Sequence, residues 1–156
     1  MAFWTTLLII HGLLAVALLG AITHQAVALW WPVRAASSSF VVRFRAVPST
    51  SYVWAIIVLY LATFVMGAWI YTQYRFTSRL ALEQLRFFKT VGVFELKEHV
   101  ATIGLIVLPA YWAFWRLPLA ADHAGARKQV TLFLALIVWA NFLIGHVVNN
   151  ARGFGS

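Results

Sequence analysis

The stretch WTTLLIIHGLLAVALLGAITHQAVALWW, Trp4 to Trp31, contains no Asp, Glu, Lys or Arg. Roughly 20 apolar residues in a helix cross a bilayer core, so this run is long enough to span with tilt or to protrude into the interface. It lacks the basic leading segment of a secretory signal and exceeds the about 7–15 apolar residues of a signal core, so it reads as a retained helix. Further apolar runs cover residues 52–74, 91–115 and 129–148. Aromatic residues gather near the run ends, among them Trp30, Trp31, Tyr52, Tyr71, Tyr74, Trp112 and Trp115. Such rings settle at the level of the lipid headgroups.

Over all 156 residues the chain is 63% hydrophobic and 10% charged, against about 25% charged in an ordinary soluble domain. That balance excludes a soluble single-core enzyme and a disordered chain. With no cysteine, thiolate-bound zinc, iron–sulfur clusters, thiol catalysis and disulfide-stapled modules are excluded as well. The net charge of +8 invites a nucleic-acid reading. The basic residues, however, sit in short loops between apolar runs, so the expected partner is a lipid bilayer and not a nucleic acid. Segment 78–89 mixes Leu80, Leu82, Leu85, Phe87 and Phe88 with Arg79, Glu83, Arg86 and Lys89, the pattern of an interfacial amphipathic helix. Residues 35–51 read as a polar connection. The expected fold is all-α: a single integral membrane domain forming an up-down four-helix bundle with one interfacial amphipathic helix. Gly12, Gly20, Gly104 and Gly145 read as positions of close helix packing.

Four spans place both termini on one side, with Arg75, Arg79, Arg86, Lys89, Lys97 and Arg152. Arg34, Arg43, Arg45, Arg116, Arg127 and Lys128 fall on the other. This even split does not orient the chain. An uncharged first segment followed by Arg34 favours termini on the outer, periplasmic side of a bacterial inner membrane.

Ionisable groups at membrane depth are functional candidates. His11, His24, His99 and His146 lie within or at the ends of apolar runs, whereas His123 lies in a polar loop. With a rise of about 1.5 Å per residue, His11, His99 and His146 fall in one shallow layer on the side of the termini. Glu95 precedes His99 by four residues and Asn150 follows His146 by four, each pair sharing a helix face. The expected site is a redox or metal centre on His11, His99 and His146, with Glu95 as a further metal ligand and Glu98 and Asn150 in support. Opposed imidazoles suit haem b. Three imidazoles and a carboxylate suit a copper, iron or zinc ion without a porphyrin. The structural alternative is that the histidines hydrogen-bond across helices while Glu95 and Glu98 pair with Lys97, Lys89 or Arg86.

The layout, with His11 and His24 on the first span, His99 on the third and His146 on the fourth, resembles the small four-helix b-type cytochromes of bacterial membranes, the cytochrome b561 and superoxide-oxidase kind. The resemblance covers the bundle. It implies two haem b groups held by these histidines and electron exchange with quinone. The second span has no histidine, and the 13-residue step from His11 to His24 turns about 220° beyond full turns, so the two imidazoles do not share a helix face. That spacing suits one haem better than two. Membrane electron transfer, with Glu95 or Glu98 as proton or quinone partner, is therefore the expected function. The competing class is a non-catalytic accessory subunit of a larger respiratory or photosynthetic complex, or a homo-oligomer. No Walker A, GxSxG, HExxH or GxGxxG pattern is present. Thr63, Thr131 and Asn141 are too few polar groups for a permeation path.

Overall fold

The computed structural model describes residues 2–32 and 39–153, with side chains for 3–32 and 39–148. Every secondary-structure element among the described residues is helical. In chain order these are α1 (Ala2–Trp30), α2 (Phe40–Arg45), a 3-10 turn (Ser49–Tyr52), α3 (Val53–Phe76), α4 (Ser78–Gln84), α5 (Phe88–Trp115) and α6 (Ala124–Gly153). Three segments, Phe3–Trp30, Ser49–Phe76 and Ala124–Val148, are long and apolar enough to cross a membrane. The fourth long helix, α5, is not among them, because Glu95, Lys97, Glu98 and His99 interrupt its first half.

The four long helices pack side by side in alternating directions. α1 lies between α3 and α6, α6 packs along α5, and α3 meets α5 along a thinner seam. The directions follow from pairs at the two ends. His11 lies over Gly67, whereas His24 stacks on Tyr52. Tyr74 stacks on Phe94, whereas Tyr60 reaches Ala101. Lys97 lies against Gly145, whereas Trp115 bonds Thr131. Outward-facing Leu13, Val16, Ile106, Leu136 and Val147 are each more than half exposed. An apolar outer face on a closed bundle fits a hydrocarbon solvent and is costly in water.

The buried core is lopsided. Leu18, Ile22, Val53, Ile56, Tyr60, Leu108, Tyr111, Trp115, Leu134 and Val138 form one cluster, all in the half remote from the start of α1. Polar clasps reinforce that half. The fully buried Gln25 side chain donates from Nε2 to Ser49 O at 2.9 Å and accepts from Tyr111 Oη at 2.7 Å. Trp115 Nε1 donates to Thr131 Oγ1 at 3.0 Å, and Trp139 Nε1 donates to Thr23 Oγ1 at 2.9 Å. Each bond satisfies groups that hydrocarbon cannot. The half nearer the start of α1 is held differently: Arg79 bridges Glu83 and Glu95, both at 2.8 Å, and Tyr71, Tyr74 and Phe94 form a stack.

Several sequence expectations shift here. The amphipathic segment expected over 78–89 is shorter: α4 stops at Gln84, and Phe88 and Lys89 already belong to α5. The stop is a Schellman closure. Arg86 adopts φ 60°, Phe87 N donates to Leu82 O at 2.8 Å, and Arg86 N donates to Glu83 O at 3.0 Å. The connection expected to be plainly polar contains α2, whose N-cap Ser39 accepts from Val42 N at 3.3 Å. Its sequence FVVRFR turns Phe40, Val41 and Phe44 outward. Among the glycines, Gly104 is a close-packing position, since a Cβ there would run into the Tyr60 phenol. Gly12 and Gly20 have no neighbour within 4 Å of such a Cβ, so helix packing does not need them.

Candidate functional site

Where the core ends, the four long helices part around a half-open cavity of about 90 Å³. Each contributes its inward stripe: His11, Ala15 and Leu18 from α1; Tyr60, Thr63, Phe64 and Gly67 from α3; Lys97, Glu98 and Ala101 from α5; Val138, Asn141 and Phe142 from α6. The spacings of three, four and seven residues are those of one helix face. Gly67 leaves room for the His11 ring, whose Cε1 would stand 3.2 Å from a Cβ there.

A charged pair sits in the wall. Lys97 Nζ lies 2.9 Å from Glu98 Oε1, and the two side chains are 16% and 28% exposed. The ammonium also lies 5.1 Å from the Phe94 ring centroid, and the Lys97 stem runs beside Gly145. Adjacent residues diverge by about 100° on a helix, so the pair forms because the lysine stem curls back toward the carboxylate. The two charges cancel, which leaves this mostly apolar cavity close to neutral.

Three buried polar atoms lining this cavity, His11 Nδ1, Thr63 Oγ1 and Asn141 Oδ1, make no hydrogen bond. Helical threonines commonly bond back along their own helix, as Thr102 does to Glu98 O at 3.0 Å and Thr77 to Gln73 O at 2.8 Å. Thr63 does not. Asn141 donates from Nδ2 to Ile137 O at 2.8 Å, and its buried carbonyl oxygen has no hydrogen-bond partner. Buried polar atoms are normally paired; the other two unpaired ones among the described residues, His24 Nδ1 and Tyr74 Oη, lie outside this cavity.

The residues expected from the sequence to form one centre are spread over the molecule. His11 and Glu98 are brought together. His99 is exposed on the other side of α5, with its Nδ1–H donating to Glu95 O at 2.7 Å. His146 is exposed on α6 and lies parallel to Phe142 at 6.4 Å. Neither lines the cavity. His24 is at the opposite end, where its Nε2–H donates to Phe44 O at 2.9 Å and its ring stacks on Tyr52 at 4.6 Å. There it fastens α2 to α1. Glu95 pairs with Arg79 of α4 instead of facing His11. Asn150 lies outside the residues whose side chains are described. His123, exposed beside Asp122 at 3.8 Å, is a loop residue as expected. Among the described residues, no three His, Cys, Asp or Glu side chains come close enough to hold one metal ion.

Counting along the helices gives height but not rotation, so His99 and His146 lie outside the cavity that His11 lines. Lys97, Thr63 and Asn141 line it, although the sequence did not single them out as part of a centre. Their signal was present: Thr63 lies four residues before Gly67, and Lys97 adjoins Glu98. Only the meeting of four stripes gives those neighbours a shared purpose. Comparison with protein-family models, curated proteins and solved structures finds no match to this chain.

Proposed function

We propose that this chain is an integral membrane protein of four crossings, α5 included, that binds the head of a membrane-dissolved carrier of quinone type. The observation that carries the reading is the set of three unpartnered polar atoms beside the Lys97–Glu98 pair, in one cavity at the open end of an apolar bundle. Ionisable side chains at membrane depth are expensive and are kept for function. The set is double-natured. The Thr63 hydroxyl and the Lys97 ammonium donate to a carbonyl, whereas Asn141 Oδ1 and the Glu98 carboxylate accept from a hydroxyl. A quinone offers carbonyls and its reduced form offers hydroxyls, so one set of residues serves both. Glu98 is the residue for proton exchange with the head. Charge neutrality of the Lys97–Glu98 pair favours an uncharged head over an anion.

Haem has no place in this reading: among the described residues His11 is the one imidazole lining the cavity, and opposed ligation needs a second that neither His99 nor His146 supplies from its outward face. Titration of decylubiquinone into the protein in lipid nanodiscs tests the reading. Saturable binding that Glu98→Gln and Asn141→Leu each weaken by about tenfold or more, with melting temperature retained, supports it. Water alone in the cavity is the competing state, and an absence of saturable binding selects it. A coloured preparation with a reducible α-band would instead restore haem ligation and overturn the present assignment.

A further inference from the structure

Helix α2, at the end of the bundle remote from the cavity, sorts its six side chains by face. At about 100° per residue, Phe40, Val41 and Phe44 share one arc of about 100°, Arg43 and Arg45 border that arc on either side, and Val42 points the opposite way. The structure follows this pattern: Phe40, Val41 and Phe44 are each more than half exposed, whereas Val42 is partly covered. Two bonds fix the roll of the helix against the end of α1. His24 Nε2–H donates to Phe44 O at 2.9 Å, and Arg45 Nη2 donates to Trp31 O at 2.8 Å. His24 precedes Trp30 by six residues, about 9 Å along the helix. Helix α2 therefore lies beside the last two turns of a helix long enough to cross a membrane, at the depth where headgroups meet acyl chains.

Charge at this end is unbalanced. Arg43, Arg45, Arg116, Arg127 and Lys128 share it with one carboxylate, Asp122, whereas Glu83, Glu95 and Glu98 lie at the other end and hold Arg79 and Lys97. Arg127 is buried and spent on Ala120 O. Arg43, Arg116 and Lys128 are exposed and pair with no carboxylate among the described residues. Lys128 Nζ stands 5.8 Å from the Trp30 ring centroid, so a second cation is held one residue from the carbonyl that anchors Arg45.

We propose that α2, with the adjoining ends of α1 and α6, is a docking surface for anionic phospholipid. Phe40, Val41 and Phe44 enter the headgroup–acyl boundary, while Arg43, Arg45 and Lys128 meet the phosphates. Two observations together select this occupant. The apolar arc gains by burial in a bilayer, where an interfacial helix sinks about 5–10 Å; a soluble anion would leave that arc in water. The uncompensated cations favour a headgroup of net negative charge over a zwitterionic one. Six residues bury too little to hold themselves in an interface, which is why the bonds from His24 and to Trp31 O matter: they present the arc already turned outward. The surface is independent of what the cavity binds.

Depth and headgroup preference are tested separately. The chain has no cysteine, so Val41→Cys carries a single nitroxide, and Leu136→Cys on the outer face of α6 gives the hydrocarbon reference. In phosphatidylglycerol nanodiscs, power-saturation spectra compare collisions with lipid-dissolved oxygen and with a water-dissolved nickel chelate. Oxygen should dominate at both sites. For the headgroup, phosphatidylglycerol or phosphatidylcholine is titrated into the detergent-solubilised protein and the adducts are counted by native mass spectrometry. The parent should prefer phosphatidylglycerol. Arg43→Gln combined with Lys128→Gln should weaken that binding by about fivefold for each charge removed and leave phosphatidylcholine binding unchanged. Lys89→Gln removes one charge from an exposed position at the other end and should change neither. Melting temperatures confirm folding. A nitroxide on Val41→Cys that meets nickel more than oxygen places α2 in water or under a soluble partner and overturns the proposal. A parent that takes both lipids equally, a double variant that keeps the parent's preference, or an equal loss in Lys89→Gln overturns it too.

Discussion

Replacing Gly104 with alanine puts a methyl group where α3 and α6 meet α5. The added Cβ would stand 2.7 Å from Tyr60 Cζ and 2.9 Å from Ile137 Cγ2, with the Tyr60 hydroxyl closer still. Contacts that short are not tolerated, so the phenol must move and its bond to Ala101 O is lost. Overpacking of this kind costs about 1–3 kcal/mol, and the hydrogen bond about 0.5–1.5 kcal/mol more. Against this stands the better helix propensity of alanine, about 1 kcal/mol. The net expectation is a destabilisation of about 1–3 kcal/mol, read as a fall in melting temperature or in the denaturing-detergent midpoint. Gly20→Ala adds the same methyl where nothing lies within 4 Å, and it should leave the protein as stable as before or slightly more so. Tyr60→Phe removes both the hydroxyl and the nearest clash. The double variant Tyr60→Phe with Gly104→Ala should therefore be less damaged than the two single effects combined, because each change removes part of what the other disturbs. Additive losses, or a Gly104→Ala protein no weaker than the parent, would refute the packing argument.

Other positions give separate tests. Gln25→Leu leaves the fully buried Tyr111 hydroxyl and the part-buried Ser49 O without their partner, and should cost about 2–3 kcal/mol in a thermal or chemical melt. Arg86→Gly should stabilise by about 1 kcal/mol, since glycine enters the left-handed conformation of the Schellman closure without the penalty arginine carries; a variant that melts below the parent contradicts this. Arg79→Ala cuts the Glu95 pair that ties α4 to α5 and the Glu83 pair within α4, and should raise amide exchange across residues 78–84 with little change in global stability, because the pairs are partly solvated.

The sequence made the long helices legible because crossing hydrocarbon imposes a length and a composition that soluble folding does not. Trp4 to Trp31 could be assigned from the absence of charge alone. Helix α5 is less plain from composition, since its first turns are charged, and its packing along α6 shows only that it belongs to the helix bundle. Rotation was the harder matter. In a helix apolar on every side, no hydrophobic stripe tells inside from outside, so depth could be counted along the chain but direction could not. His11 and His99 therefore looked like partners although they point to different surroundings. Their surroundings differ: His11 lines the cavity with Glu98, whereas His99 bonds the Glu95 carbonyl of its own helix. Segment α2 escaped notice for a related reason. Six residues carry too little pattern to rise above a serine-rich stretch, and its helix is secured by contacts from α1, such as the His24 bond to Phe44 O.

The lopsided core gives the molecule the mechanics of a pair of tongs. Gln25, Tyr111, Trp115 and Thr131 act as the pivot, where buried side chains bond one another across the helices. The arms are the opposite ends of the same helices, joined by surface ion pairs and one aromatic stack that part at small cost. A guest can thus be admitted by spreading the arms through fractions of a helix diameter while the pivot stays shut. Gating of this sort asks for no unfolded intermediate. It also confines thermal breathing to the end where a ligand would arrive.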